Sequence, residues 1–158
     1  MIGARSASIM AVVIAMAAAC ALATTNEGKA YLQRNSKAAN VVTLASGLQY
    51  KVLESGPSGG LTPSPKSPCV CHYRGYLMDG TEFDSSYKRN EPMTFAPYQV
   101  IRGWKEAMQL MKEGDKWQLF IPSELAYGDR QTGPHITPGS VLLFDIEIIK
   151  VVSDGFVK

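Results

Sequence analysis

The sequence predicts an α+β domain in which an antiparallel sheet of about five strands wraps around one short amphipathic helix. Three observations predict it. Several segments alternate apolar and polar residues with the period of a strand. A single segment carries apolar residues at helical spacing. Gly, Pro, Asn and Asp clusters separate these segments at short intervals.

Taken in chain order, residues 24–46 are polar with scattered alanine and leucine and are expected to form a short helical extension. "LQYKVLE" follows as a first strand, and the Gly/Ser/Pro run "SGPSGGLTPSPKSP" as a loop. "CVCHYRGYLM" alternates, with Cys69, Cys71, Tyr73, Gly75 and Leu77 on one face. Asp79-Gly80 is a two-residue hairpin signal, and "TEFDSS" returns as the partner strand. "MTFAP" is a short extended piece ended by Pro97. In the next segment Val100, Ile101, Trp104, Ala107, Met108 and Met111 form one apolar stripe, with Gly114 expected just past the helix end. Gly103 beside the tryptophan costs about 1 kcal/mol in a helix interior, which implies close backbone packing there. "KWQLFIPS" and "VLLFDIEIIKVV" are strands, joined by the long loop "ELAYGDRQTGPHITPGS".

Bulk properties narrow the function. The chain has 158 residues, 46% hydrophobic and 19% charged, with a net charge of +2. That balance fits a globular domain with its own core and argues against nucleic acid or an anionic membrane as the main partner. Arg5 followed by the apolar run Ile9–Ala23, ending in Ala21-Leu22-Ala23, reads as a cleavable secretory signal over residues 1–23. Ala17-Ala18-Ala19-Cys20 lacks the large aliphatic residue of a lipobox, so lipidation at Cys20 is disfavoured. The other two cysteines, Cys69 and Cys71, read as small buried side chains rather than a disulfide or a metal site. His72 and His135 have no paired spacing, so neither metal nor cofactor is expected. Serine-hydrolase, P-loop, zinc-protease and dinucleotide motifs are missing. Any reaction should therefore proceed without a covalent intermediate.

The string "VCHYRGYLMDGTEFDSS", then "QVIRGW", "GDKWQLFIPSELAYGD" and "LLFDIEII", resembles the FKBP-type peptidyl-prolyl cis-trans isomerases. The resemblance runs over the expected domain, residues 47–152, and leaves residues 153–158 as a tail. "GKAYLQRNSKAANVVTLASGLQYKV" further resembles the branch of macrophage infectivity potentiators. The dimerising helical region of the long members is not expected here, so their dimerisation is not carried over and a monomer is expected.

The resemblance also implies a site. Trp104 would be the floor under a substrate proline, with one edge in the core and an exposed face as platform. Tyr73, Phe83, Val100, Ile101 and Phe144 would form walls, with Met93 where many relatives have an aromatic residue and Ala126 at the margin. The Ile101 N–H and the Tyr127 hydroxyl would hold substrate carbonyls. Asp84 would lie beside the twisting amide, with Arg89 orienting Asp84 and Tyr127. Ile136 would touch the residue before proline. Asp84→Ala would then leave stability nearly unchanged.

By the same resemblance the substrates are proline-containing polypeptides in the secretory pathway, periplasm or extracellular space, and tacrolimus and rapamycin are inhibitors. A non-catalytic module that binds prolyl segments is the alternative. Each residue also has a plain structural reading: Phe144 and Val100 as core, Asp84 as a turn cap, Tyr127-Gly128 as a turn. The joint spacing favours the site.

Overall fold

The computed structural model describes residues 23–152. The expected secretory signal, the Cys20 question and the C-terminal tail fall on residues 1–22 and 153–158, outside the described residues. A helix, α1 (Asn26–Asn35), is followed by strands β1 (Val42–Thr43), β2 (Gln49–Glu54), β3 (Cys69–Tyr76) and β4 (Glu82–Ser85). A four-residue helix α2 (Ser86–Arg89) leads to β5 (Met93–Phe95), helix α3 (Arg102–Met108), β6 (Lys116–Ile121) and β7 (Leu142–Val151). The strands form one antiparallel sheet in the order β1-β2-β6-β7-β3-β4, with β5 also on β3.

All five expected strands are present, and the sheet has seven among the described residues. The two additions, β1 and β5, are two and three residues long, too short for a period of two to show in sequence. β4 and β5 share one edge of β3, the former beside Arg74–Tyr76 and the latter beside Cys69–Cys71. The chain turns between them through α2, whose Ser85 cap accepts from the Lys88 N–H and whose Asn90 takes a left-handed conformation at φ 51°.

The two faces of the sheet are covered differently. Cys69, Cys71 and Tyr73 on β3, Leu119 and Ile121 on β6, and Leu142, Phe144, Ile146 and Ile148 on β7 face inward and join the main core with Trp104, Ala107 and Met108 of α3. On the other face Phe120, Val141 and Leu143 make a smaller cluster, covered by Tyr31 and Leu32 of α1. Cys69 and Cys71 are free thiols, and burial pushes Cys69 up to about 11. Neutral buried thiols pack here as small apolar groups.

Two turn assignments change. The β3–β4 hairpin does not close on a two-residue Asp-Gly turn. The Gly80 N–H donates to the Leu77 carbonyl at 2.9 Å and Gly80 has φ 87°, so Met78-Asp79 are the central turn residues and Gly80 follows them in the left-handed position. Nor does Gly114 end the helix. α3 stops at Met108, and Gly114 lies in the next turn, closed by Asp115 N–H to Lys112 carbonyl at 3.0 Å. The apolar stripe runs on past the helix because Met111 packs into the core from that connection.

Gly103 is a matter of space. A Cβ there would sit 2.6 Å from the Ile121 Cγ2 atom of β6. Gly103→Ala gains about 1 kcal/mol of helix propensity but forces the helix off the sheet, a cost of about 1–3 kcal/mol. Urea unfolding of the variant is expected to show a lower midpoint.

Candidate active site

The site grows from the end of β3 where β4, α2 and α3 converge. Tyr73 on β3 points inward and is 1% exposed. Its hydroxyl donates to Asp84 Oδ2 at 2.7 Å. Asp84 stands on β4, opposite Gly75, one residue before the cap of α2. The helical turn then brings Arg89 back over the pair. Its Nη1 donates to Asp84 Oδ1 and its Nη2 to the Tyr73 hydroxyl at 2.9 Å. The Arg89 guanidinium also lies 5.7 Å from the Tyr73 ring centroid. The three groups close on one another, so the carboxylate is buried with its charge paired.

Arg89 therefore pairs with Asp84 as expected, but its second partner is Tyr73, not Tyr127. α2 ends beside β3, which brings the guanidinium to the Tyr73 hydroxyl, whereas Tyr127 comes from the β6–β7 connection. The expectation that Asp84→Ala spares stability also fails on this geometry, because the carboxylate accepts from two partly or fully buried donors.

Behind the polar triad lies an aromatic box. The Trp104 ring meets Tyr73, Phe95 and Phe144 edge-on, with centroid distances of 5.3, 5.5 and 5.0 Å. Phe83 meets Phe144 at 5.5 Å and 85°. Such near-perpendicular contacts match the quadrupoles of the rings. Gly75 makes the last contact possible: a Cβ there would lie 2.6 Å from both the Phe83 and the Phe144 ring. Sequence reasoning missed Phe95 and Gly75 as parts of this box. Gly75 was visible as the smallest residue on the inward face of an alternating strand; "MTFAP" held no pattern long enough to orient Phe95.

All twelve expected site residues meet in or against one cluster. Val100, Ile101, Ile136 and Phe144 are buried in it, and Phe83, Met93, Ala126 and Tyr127 pack on its margin. Trp104 is 0% exposed. It has no open face here, which corrects the expected platform: Tyr73, Phe95 and Phe144 pack against the indole. Ile136, expected to touch the residue before proline, is likewise buried at 3% exposed, held by paired bonds between Thr132 and Ile136.

Two polar atoms in this apolar region stand out. The Trp104 Nε1 and the Tyr127 hydroxyl are buried and have no hydrogen-bond partner among the described residues. Burial, and then the nearby Asp84 and Tyr73, push the Tyr127 phenol upward. Burial and the Asp84 hydrogen bond do the same to Tyr73. For Arg89, burial works against the charge, but Asp84 and Tyr73 outweigh it and raise the group. At neutral pH the region thus holds two neutral phenols and one neutralised ion pair.

The phenols give a pH prediction. Tyr73, Tyr76, Tyr87 and Tyr127 are all raised above the ordinary 10.0, first by burial. A raised folded pKa means stability is full below the unfolded value and is lost as pH rises through it. Melting temperature should be flat up to about pH 9 and fall steeply above about pH 10. Phenolate absorbance should appear together with unfolding, not before it.

Comparison with known proteins agrees with the geometry. The family model for FKBP-type peptidyl-prolyl cis-trans isomerases matches residues 59–149, and that for the domain amino terminal to such isomerases matches residues 5–52. The chain is 45% identical over 128 residues to the macrophage infectivity potentiator of Trypanosoma cruzi, covering 81% of this chain and 65% of that protein. It is similar to the crystal structure of FkpA from Escherichia coli, with 43% identity and a TM-score of 0.74 over 80% of this chain and 58% of that one. It is also similar to a peptidyl-prolyl cis-trans isomerase from Pseudomonas syringae pv. tomato, with 35% identity and a TM-score of 0.73 over 80% of this chain and 91% of that one. The chain spans about half to two-thirds of the length of the curated relatives it matches. The aromatic box and its charge triad thus sit in a domain with known relatives: the chain belongs to the FKBP-type peptidyl-prolyl cis-trans isomerases.

Proposed function

We propose that this chain accelerates cis/trans rotation of Xaa-Pro bonds in polypeptides. The carrying observation is an apolar aromatic cluster whose polar members include an Asp84 paired with Arg89 and a Tyr127 hydroxyl without a partner among the described residues. Rotation about a peptide bond is opposed by about 18–20 kcal/mol of lost resonance. In the twisted amide the charge separation of the planar form is reduced. A dry aromatic wall disfavours the planar form more than the twisted one, and only such differential binding accelerates the step. Each 1.36 kcal/mol is tenfold in rate, so about 5–8 kcal/mol of this preference makes a useful enzyme.

The residues take the following roles. Trp104 is the floor beneath the proline ring. Tyr73, Phe83, Met93, Val100 and Phe144 wall it, and Ala126 lines its margin. The Tyr127 hydroxyl donates to a substrate carbonyl, which supplies the partner it lacks, and the Ile101 N–H donates to another. Asp84 stands beside the twisting amide, its position set by Arg89. No proton leaves any of these groups.

The substrates are proline-containing chains with an apolar residue before proline, met in the secretory pathway, periplasm or outside the cell. Among the described residues no helix is long and apolar enough to cross a membrane. Tacrolimus and rapamycin compete for the same wall, and the protein acts as a monomeric foldase or as a secreted factor of the infectivity-potentiator kind. The test is refolding of a protein limited by a prolyl bond. Substoichiometric chain should speed the slow phase, and rapamycin should abolish the effect. Binding of apolar-Pro peptides with an unchanged slow phase would assign the non-catalytic binding role instead.

A further inference from the structure

The start of the described chain is held as firmly as its core. Thr24 is 3% exposed. Its backbone N–H donates to Glu124 Oε1 at 2.9 Å, and its hydroxyl donates to Glu124 Oε2 at 2.7 Å. The same hydroxyl accepts from the Ser123 N–H at 2.9 Å. Next to it, the Thr25 N–H donates to the Gly139 carbonyl at 3.1 Å, and the Thr25 hydroxyl caps α1 by accepting from the Gly28 N–H at 3.1 Å. α1 comes so close that a Cβ on Gly28 would lie 2.6 Å from Thr24 Cγ2.

This clasp grips both ends of one loop. Glu124 belongs to the short 3-10 turn Ser123–Leu125 that leads into Ala126 and Tyr127. Gly139 closes the loop from the far side, donating to the Gly128 carbonyl at 2.8 Å. Thr24 thus offers the carboxylate two donors, neither of them charged. Sequence points to a charge at the Thr24 nitrogen. Ala21-Leu22-Ala23 is a small-x-small pattern at the end of an apolar run, and the bond it would expose to cleavage is the one before Thr24.

We propose that a signal-peptidase-type protease hydrolyses the Ala23–Thr24 bond, and that the new α-ammonium of Thr24 forms an ion pair with Glu124 that locks the base of the loop carrying Tyr127. In the hydrolysis the amide C–N bond breaks and water supplies a hydroxyl to the Ala23 carbonyl carbon and a proton to the Thr24 nitrogen. A second proton from solvent makes that nitrogen an ammonium at neutral pH. One N–H already points at Oε1, so the charge arrives in place, and a charge-assisted bond is stronger than the amide bond it replaces. Glu124 is ready for it. Burial opposes its charge, but the Thr24 hydrogen bonds and the cation of Lys29 on α1 hold it ionised below its usual range. The inference is independent of the isomerase reading.

Two experiments test it. Secretion of the full chain from a bacterial host should yield a product whose mass and first residue place the N-terminus at Thr24; another N-terminus overturns the processing site. Chains beginning at Thr24 and at Ala23, both ending at Lys158, retain every described element and differ by one residue. At pH 7 the chain beginning at Thr24 should melt about 3 °C higher, and Glu124→Gln should erase the difference. Equal melting, or a difference that survives Glu124→Gln, overturns the ion pair. A reading without any variant is the titration of the Thr24 α-ammonium by NMR. It should lie above the usual range of about 7.7–8.0, and a value within or below that range also overturns it.

Discussion

Trp104→Ala is expected to lower the free energy of unfolding by about 3–5 kcal/mol, the cost of removing a buried tryptophan and leaving its cavity. Total stability of a domain this size is on the order of 5–15 kcal/mol, so the loss is a large share of it. The indole is 0% exposed and touches three aromatic rings that come from three different strands. Losing it therefore loosens β3, β5 and β7 together. Peptide binding should fail in parallel, because the same ring is the proposed floor. Trp104→Phe keeps an apolar ring and should retain most of the stability while weakening peptide and rapamycin binding. Urea unfolding and a peptide titration on the two variants check both statements. A loss below about 1 kcal/mol in Trp104→Ala would mean that the box repacks without its centre.

Asp84→Ala should be the second most damaging change. It removes the acceptor for the Tyr73 hydroxyl and for the Arg89 guanidinium at once. A buried donor left without a partner costs about 1–3 kcal/mol, and the isomerisation rate constant kcat/KM should fall at least tenfold, since the carboxylate proposed to stand beside the amide is gone and Arg89 keeps only its contact with Tyr73. Asp84→Asn keeps an acceptor for Tyr73 and should be milder in stability than in rate. A double-mutant cycle with Arg89→Ala separates the two roles. If the pair acts as one unit, Arg89→Ala costs little in the Asp84→Ala background. Additive losses would show that Arg89 works apart from Asp84.

Sequence carried the long elements because their periods repeat. Cys69, Cys71, Tyr73 and Gly75 alternate over a strand long enough to declare its inward face, and the stripe from Val100 to Met111 declares the inward side of α3 and its flanks. β1, β5 and α2 are each shorter than two periods, so nothing repeats in them. The consequences reach the site. Without α2, the return of Arg89 toward Tyr73 could not be read, and a resemblance placed it beside Tyr127 instead. Without β5, Phe95 had no orientation, although it completes the box around Trp104. Depth was a further limit. Spacing tells which side of a helix an indole lies on, but only the packing of Tyr73, Phe95 and Phe144 shows that it is wholly covered. Likewise Thr24 read only as the first residue of a polar extension, and only the fold brings Glu124 to it from 100 residues away.

The most direct test of the central claim is exchange NMR on a short peptide with a Leu-Pro bond. Uncatalysed exchange takes tens of seconds or longer, so cis and trans signals give no exchange peaks on the sub-second scale. With a small fraction of the folded chain present, exchange peaks between the two forms should appear, and should vanish when rapamycin is added. Unchanged cis and trans signals, at a protein concentration where peptide binding is demonstrated, would contradict the account.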